Sequence, residues 1–154
     1  MRDFHRILLS SEVHELADEV GRLFEDLDRQ VAAGQPASAG HCTPALDVLE
    51  TEATVEVVVD LPGVVPESVR VLLKGGVLVI AGLKVSPYAG AGVRVGSFHL
   101  VERGFGRFAR AVQLQGAFDG NRTRAVLQGG ELRVVIPRLA ERRGQEISVP
   151  IVTS

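Results

Sequence analysis

Val55-Glu56-Val57-Val58-Val59-Asp60-Leu61-Pro62-Gly63 is the stretch on which the fold turns. Val55, Val57, Val59 and Leu61 alternate with Glu56 and Asp60, and a period of two puts the valines on one face of a half-buried strand. Pro62-Gly63 ends that strand, since proline cannot donate to a ladder and glycine takes the turn. About sixty residues on, Ala125-x-x-x-Gly129-Gly130-x-Leu132 joins two further alternating runs, 123–127 and 132–136, through a tight glycine hairpin. Between these patterns, Val69, Val71 and Leu73 alternate with outward Arg70 and Lys74. Lys74-Gly75-Gly76 then turns into 77–81, which is apolar on both faces and reads as a central strand. A further strand spans 108–114. Six or more antiparallel strands with glycine turns and no intervening helix predict an all-β, immunoglobulin-like β-sandwich over 44–137. Ala125 and Leu132 are expected to face its core.

Ahead of the sandwich the period changes to that of a helix. Over 11–31, Val13, Leu16, Ala17, Val20, Leu23, Phe24, Leu27 and Val31 recur at three- and four-residue spacing and share a face. Ser10 and Ser11 suit the N-cap, and Glu12 and Glu15 oppose the positive end of the dipole. Gly21 costs about 1 kcal/mol against alanine, so the helix is marginal unless its apolar face docks. Two docking partners stand open: its own domain, or a partner or client protein. Residues 32–43, rich in Ala, Gly and Ser, form the linker. The chain therefore divides into a helical arm and linker (1–43), a sandwich (44–138) and a short tail (139–154).

Composition narrows the function. The 154 residues carry a net charge of −2. Residues 1–40 hold four arginines and eight carboxylates, a net −4, against thirteen basic and eleven acidic residues (+2) in the remainder. An acidic arm is repelled by phosphates, which argues against nucleic acid as a partner. Cys42 is the single cysteine and cannot form an intrachain disulfide. His41-Cys42 lacks the spaced partners that a metal site needs. Ile7-Leu8-Leu9 is too short for a signal-peptide core or a membrane span, so a cytoplasmic location is the expectation. The mean hydropathy of +0.18 with few aromatics points to an aliphatic β core and some exposed apolar surface. The four histidines lie apart, and Gly90, Gly92 and Gly96 have the wrong spacing for a dinucleotide loop. Neither a cofactor nor enzymatic activity is expected.

Taken in order, these motifs resemble the α-crystallin domain of small heat shock proteins, of the bacterial type. The resemblance runs from about Pro44 to Val149. It is carried by Pro44-Ala45-Leu46-Asp47-Val48, Asp60-Leu61-Pro62-Gly63, Glu67-Ser68-Val69, and Val77-Leu78-Val79-Ile80-Ala81-Gly82. It continues through Glu102-Arg103, Gly106-Arg107-Phe108-Ala109-Arg110, the 125–132 signature, Ile136-Pro137-Arg138 and Ile147-Ser148-Val149. Leu114-Gln115-Gly116, where the family often has Leu-Pro, and Glu131, where it is usually apolar, depart from the pattern.

The resemblance implies an ATP-independent holdase that binds unfolding client proteins and assembles as a homo-oligomer of dimers. In bacterial and plant members the segment matching Val93, Val95, Phe98 and Leu100 crosses to the partner's sheet. That likeness places Glu102, Arg103 and Arg110 at the dimer contact. From the residues themselves, Ile147 and Val149 project to one side of an extended, charged tail. Either they form a last strand of the same domain, or they dock in a groove between Val69, Val71 and Leu73 on one strand and Ala125 and Leu127 on another. Val149 with Ile151 offers an overlapping register. Leu16, Val20, Leu23, Phe24 and Leu27 form the apolar stripe of a client-binding arm. The competing reading is a monomeric or dimeric β-sandwich co-chaperone or adaptor.

Overall fold

The computed structural model describes residues 10–31, 40–88, 96–140 and 151, with the helix side chains limited to residues 15, 17–26 and 29. A helix, α1 (Ser10–Val31), precedes seven strands among the described residues: β1 (Leu46–Glu50), β2 (Thr54–Asp60), β3 (Val69–Lys74), β4 (Val77–Lys84), β5 (Gly106–Gln113), β6 (Arg124–Gln128) and β7 (Glu131–Pro137). They form two antiparallel sheets, β1-β2-β7-β6 and β3-β4-β5. The immunoglobulin-like sandwich expected from the alternation is present, and the helix spans one residue more than its pattern suggested.

The two deciding motifs meet in space. β2 and β7 pair with Asp60 opposite Glu131. The amide of Leu61, just past β2, donates to the carbonyl of Gly130 at 2.7 Å. Gly129 and Gly130 have φ of 60° and 80°, the left-handed conformations a two-residue hairpin requires. Glu131 is exposed, so the departure from the family pattern there costs the core nothing.

Val55, Val57, Val59 and Leu61 interdigitate with Leu132, Val134 and Ile136 of the same sheet and with Leu78, Ile80 and Phe108 of the other. Residues 77–83 of β4 are all buried. Leu78 and Ile80 face the sandwich core, whereas Val77, Val79 and Ala81 face α1. The helix therefore docks on its own domain. Leu132 is in the core as expected. Ala125 is not: register places it opposite Val134, on the inner side, yet it is exposed because β6 is an edge strand. The 115–122 connection is held by Asp119, whose carboxylate accepts from the amides of Asn121 and Arg122.

Gly82 shows how tightly the sheets close. A Cβ there would lie 2.3 Å from the Ser68 carbonyl oxygen and 2.7 Å from Cζ of Phe108. Gly82→Ala is expected to lower stability by about 1–3 kcal/mol through overpacking, read as a lower urea midpoint. At Gly21 in α1 a Cβ would meet nothing within 4 Å. Gly21→Ala should instead raise helicity by circular dichroism, and equal effects at both sites would contradict the packing account.

Candidate functional site

The described surfaces that can act are the edges of the sandwich and the face under α1. A four-stranded sheet over a three-stranded one leaves inner-facing side chains uncovered at the margins. At the β3/β6 margin, Val71, Leu73 and Leu127 are half-buried against the core and Ala125 is exposed. Val69 is buried, at the base of this margin. These five residues were expected to share an apolar slot, and they all lie on inward-facing register positions of the two edge strands.

At the opposite margin, β1 is an edge strand with Val48 47% exposed. Arg110 reaches inward from β5 and donates to the Pro44 carbonyl at 2.5 Å, tying β5 to the root of β1. Among the described residues no ion pair joins Arg110 to Glu102, and both Glu102 and Arg103 are exposed. Arg103 and Lys84 instead lie over the Phe105 ring, 5.0 and 5.5 Å from its centroid. The start of β5 is sealed by residues 40–42: Cys42 N–H donates to Arg107 O at 2.9 Å, and Arg107 N–H to Gly40 O at 3.0 Å. Burial raises the Cys42 thiol above its ordinary value.

The long connection between β4 and β5 carries a run of strongly exposed apolar side chains. Phe98, Leu100 and Val101 are 64%, 74% and 69% exposed, and Phe98 meets Tyr88 edge-to-face at 5.0 Å. Residues 96–101 belong to no strand of this chain. Val93 and Val95, expected in the same crossing segment, lie outside the described residues. So do Ile147 and Val149. Ile151 is 96% exposed. The tail leaves the domain beside the 117–119 loop, where Leu139 N–H donates to Ala117 O at 2.9 Å.

On the arm, Val20, Leu23 and Phe24 pack on Val77, Val79 and Ala81, flanked by Leu72 and Ala111. The side chains of Leu16 and Leu27 lie outside the described residues. Lys74 Nζ binds Glu15 at 2.6 Å and Glu19 at 2.8 Å, one helical turn apart. At the other end the Arg107 guanidinium lies 5.4 Å from the Phe24 ring centroid. Sequence reasoning found the stripe and the two-faced strand separately but missed the Lys74 clamp. The docking itself had a signal in the sequence, since the apolar set at 77, 79 and 81 needs a cover and the helix carries an apolar stripe; the Lys74 contact had none.

The Hsp20/alpha crystallin family matches residues 47–152. The chain belongs to this family. Heat shock protein 16 of Schizosaccharomyces pombe is 35% identical to this small heat shock protein over 100 residues, 65% of this chain and 69% of the relative. Spore protein SP21 of Stigmatella aurantiaca is 33% identical over 106 residues, 69% of this chain and 61% of the relative. Among solved structures, heat shock protein 16.0 of S. pombe superposes with a TM-score of 0.60 at 32% identity, covering 72% of this chain and 99% of that one. A small heat-shock protein from Xylella fastidiosa, described as having a distinct high order structure, gives 0.57 at 27% identity, covering 70% and 96%. Among the described residues no helix is long and apolar enough to cross a membrane.

The clamp sets a pH window. The hydrogen bond from Lys74 holds the Glu15 carboxyl below its ordinary 4.5, and Glu15, then Glu19, hold Lys74 above its ordinary 10.5. A depressed carboxyl contributes above 4.5 and loses that contribution as pH falls through its lower folded value; a raised amine contributes below 10.5 and loses it as pH climbs past its higher one. Hydrogen-exchange protection of α1, corrected for intrinsic rates, should be level around neutrality and fall in acid below 4.5. It should also weaken in about 0.5 M salt, because the pair is exposed. Protection unchanged in acid and salt would mean that the apolar contacts alone hold the arm.

Proposed function

We propose that this small heat shock protein is an ATP-independent holdase that keeps unfolding proteins in solution and assembles from dimers into a larger homo-oligomer in the cytoplasm. The observation that carries the reading is the exposure of Phe98, Leu100 and Val101 in the lone chain. Three large apolar side chains held in water gain nothing for a monomer, and their burial by a partner would contribute roughly 1.5–3 kcal/mol each before entropy costs.

In this reading residues 93–100 of one subunit add to the β1 edge of its partner, where Val48 and Leu49 are exposed. Glu102, Arg103 and Arg110 then flank the joint. Ile147 and Val149, or Val149 and Ile151 in the second register, enter the β3/β6 slot of a neighbouring dimer against Val69, Val71, Leu73, Ala125 and Leu127. The 138–146 tether spans at most roughly 30 Å when extended, enough to reach another dimer. Each contact is weak, so assembly rests on many acting together and subunits exchange readily. Client affinity comes from exposed apolar surface, including Leu16, Val20, Leu23, Phe24 and Leu27 once the arm leaves its sheet.

Light scattering tests the arrangement at two levels. Deleting residues 88–100 should give folded monomers, because the sandwich keeps its own core; dimers that survive the deletion would assign the pair contact to another surface. Ile147→Ala with Val149→Ala should release dimers without unfolding the domain. Retention of the full assembly would shift attention to the register ending at Ile151. Both variants should suppress client aggregation less well per subunit than the parent if assembly supports capture.

A further inference from the structure

Val77, Val79 and Ala81 are 6%, 2% and 0% exposed on the side of β4 that faces away from the sandwich core. Val20, Leu23 and Phe24 of α1 cover them. The face is built to read more than apolarity. Lys74 at one end takes two carboxylates one helical turn apart, and Arg107 at the other lies over an aromatic ring. An open groove runs along the helix margin beside that clamp, lined by Glu19, Arg22, Leu23, Leu72, Leu73 and Lys74.

We infer that the outer face of β3-β4-β5 is a receptor for acidic amphipathic helices, that α1 occupies it in cis, and that its working occupant is such a segment of an unfolding protein. The identity of the occupant rests on the holdase reading; the receptor itself does not. Segments that lose tertiary packing while keeping helical structure expose this kind of apolar stripe. Carboxylates at i and i+4 on its margin meet the Lys74 ammonium, which has three donors, whereas a lysine there is repelled. A second copy's α1 is disfavoured as occupant, because its own tether keeps it seated on its own sheet at an effective concentration on the order of millimolar.

The test uses the full chain and fluorescence anisotropy. Glu15→Lys with Glu19→Lys should open the latch while leaving Lys74 in place. The probes are three dye-labelled peptides: residues 10–31 of this chain, an unrelated amphipathic helix with glutamates at the positions of Glu15 and Glu19, and the same unrelated helix with lysines there. The double variant should bind the unrelated acidic helix about tenfold or more tightly than the parent chain does, because the tethered competitor has lost its clamp. It should bind the lysine helix no better than the parent does. In the parent chain, Lys74→Glu should reverse the preference, favouring the lysine helix. Unchanged urea midpoints for the sandwich would show that both variants fold. Equal binding of acidic and lysine peptides, or no gain over the parent, would overturn the inference; binding confined to the 10–31 peptide would make a second copy's arm the occupant and overturn it as well. Peptide binding without any suppression of client aggregation would fault the holdase reading alone.

Discussion

Burial of β4 on both faces is the constraint around which the other elements are arranged. A strand with Leu78 and Ile80 on one side and Val77, Val79 and Ala81 on the other needs two covers. The four-stranded sheet supplies one and α1 supplies the other. The two covers differ in kind. The sandwich side is closed by fully buried side chains from β2 and β7 and by Phe108, with no space at Gly82 even for a methyl group. The helix side is closed by three partly buried residues and an exposed ion cluster. Exposed ion pairs contribute little and are screened by salt, so the second cover is the weaker one.

The unequal strand count of the two sheets does the rest. Arg110 ties β5 to the root of β1, so β1 overhangs one margin and β6 the other. That is why Val48 and Ala125, both on inward-facing register positions, remain exposed. A sandwich with equal sheets would bury them and would offer neither margin to another chain. Edge strands normally invite uncontrolled pairing. Here residues 40–42 block the start of β5, which leaves fewer edges open.

Strand identity and helix extent were legible because each rests on local periodicity that the packing then reinforces. Val55, Val57 and Val59 alternate, and all three are buried. The family signature identified the kind of sandwich these strands build, while their order in the sheets came only with the structure. Long-range pairings that depend on single side chains were not legible. Nothing local says that Lys74 meets Glu15 and Glu19, more than fifty residues away, or that Arg110 donates to a backbone carbonyl at Pro44. Ala125 was misread for a related reason. Its face follows from alternation, but its exposure depends on where β6 lies in the sheet, which periodicity does not encode.

The parallel pairing of residues 40–42 with Arg107 has a kinetic corollary. It fixes the arm's point of attachment to the sandwich, leaving residues 32–39 as the leash, with a maximal reach of roughly 28 Å. A helix on so short a leash rebinds its own sheet far more often than it meets anything at micromolar concentration. A competitor for that face therefore gains access only in the intervals after the arm has left. Its rate of capture should rise with concentration and then level off at the arm's own departure rate, a ceiling set by the chain and not by what it captures.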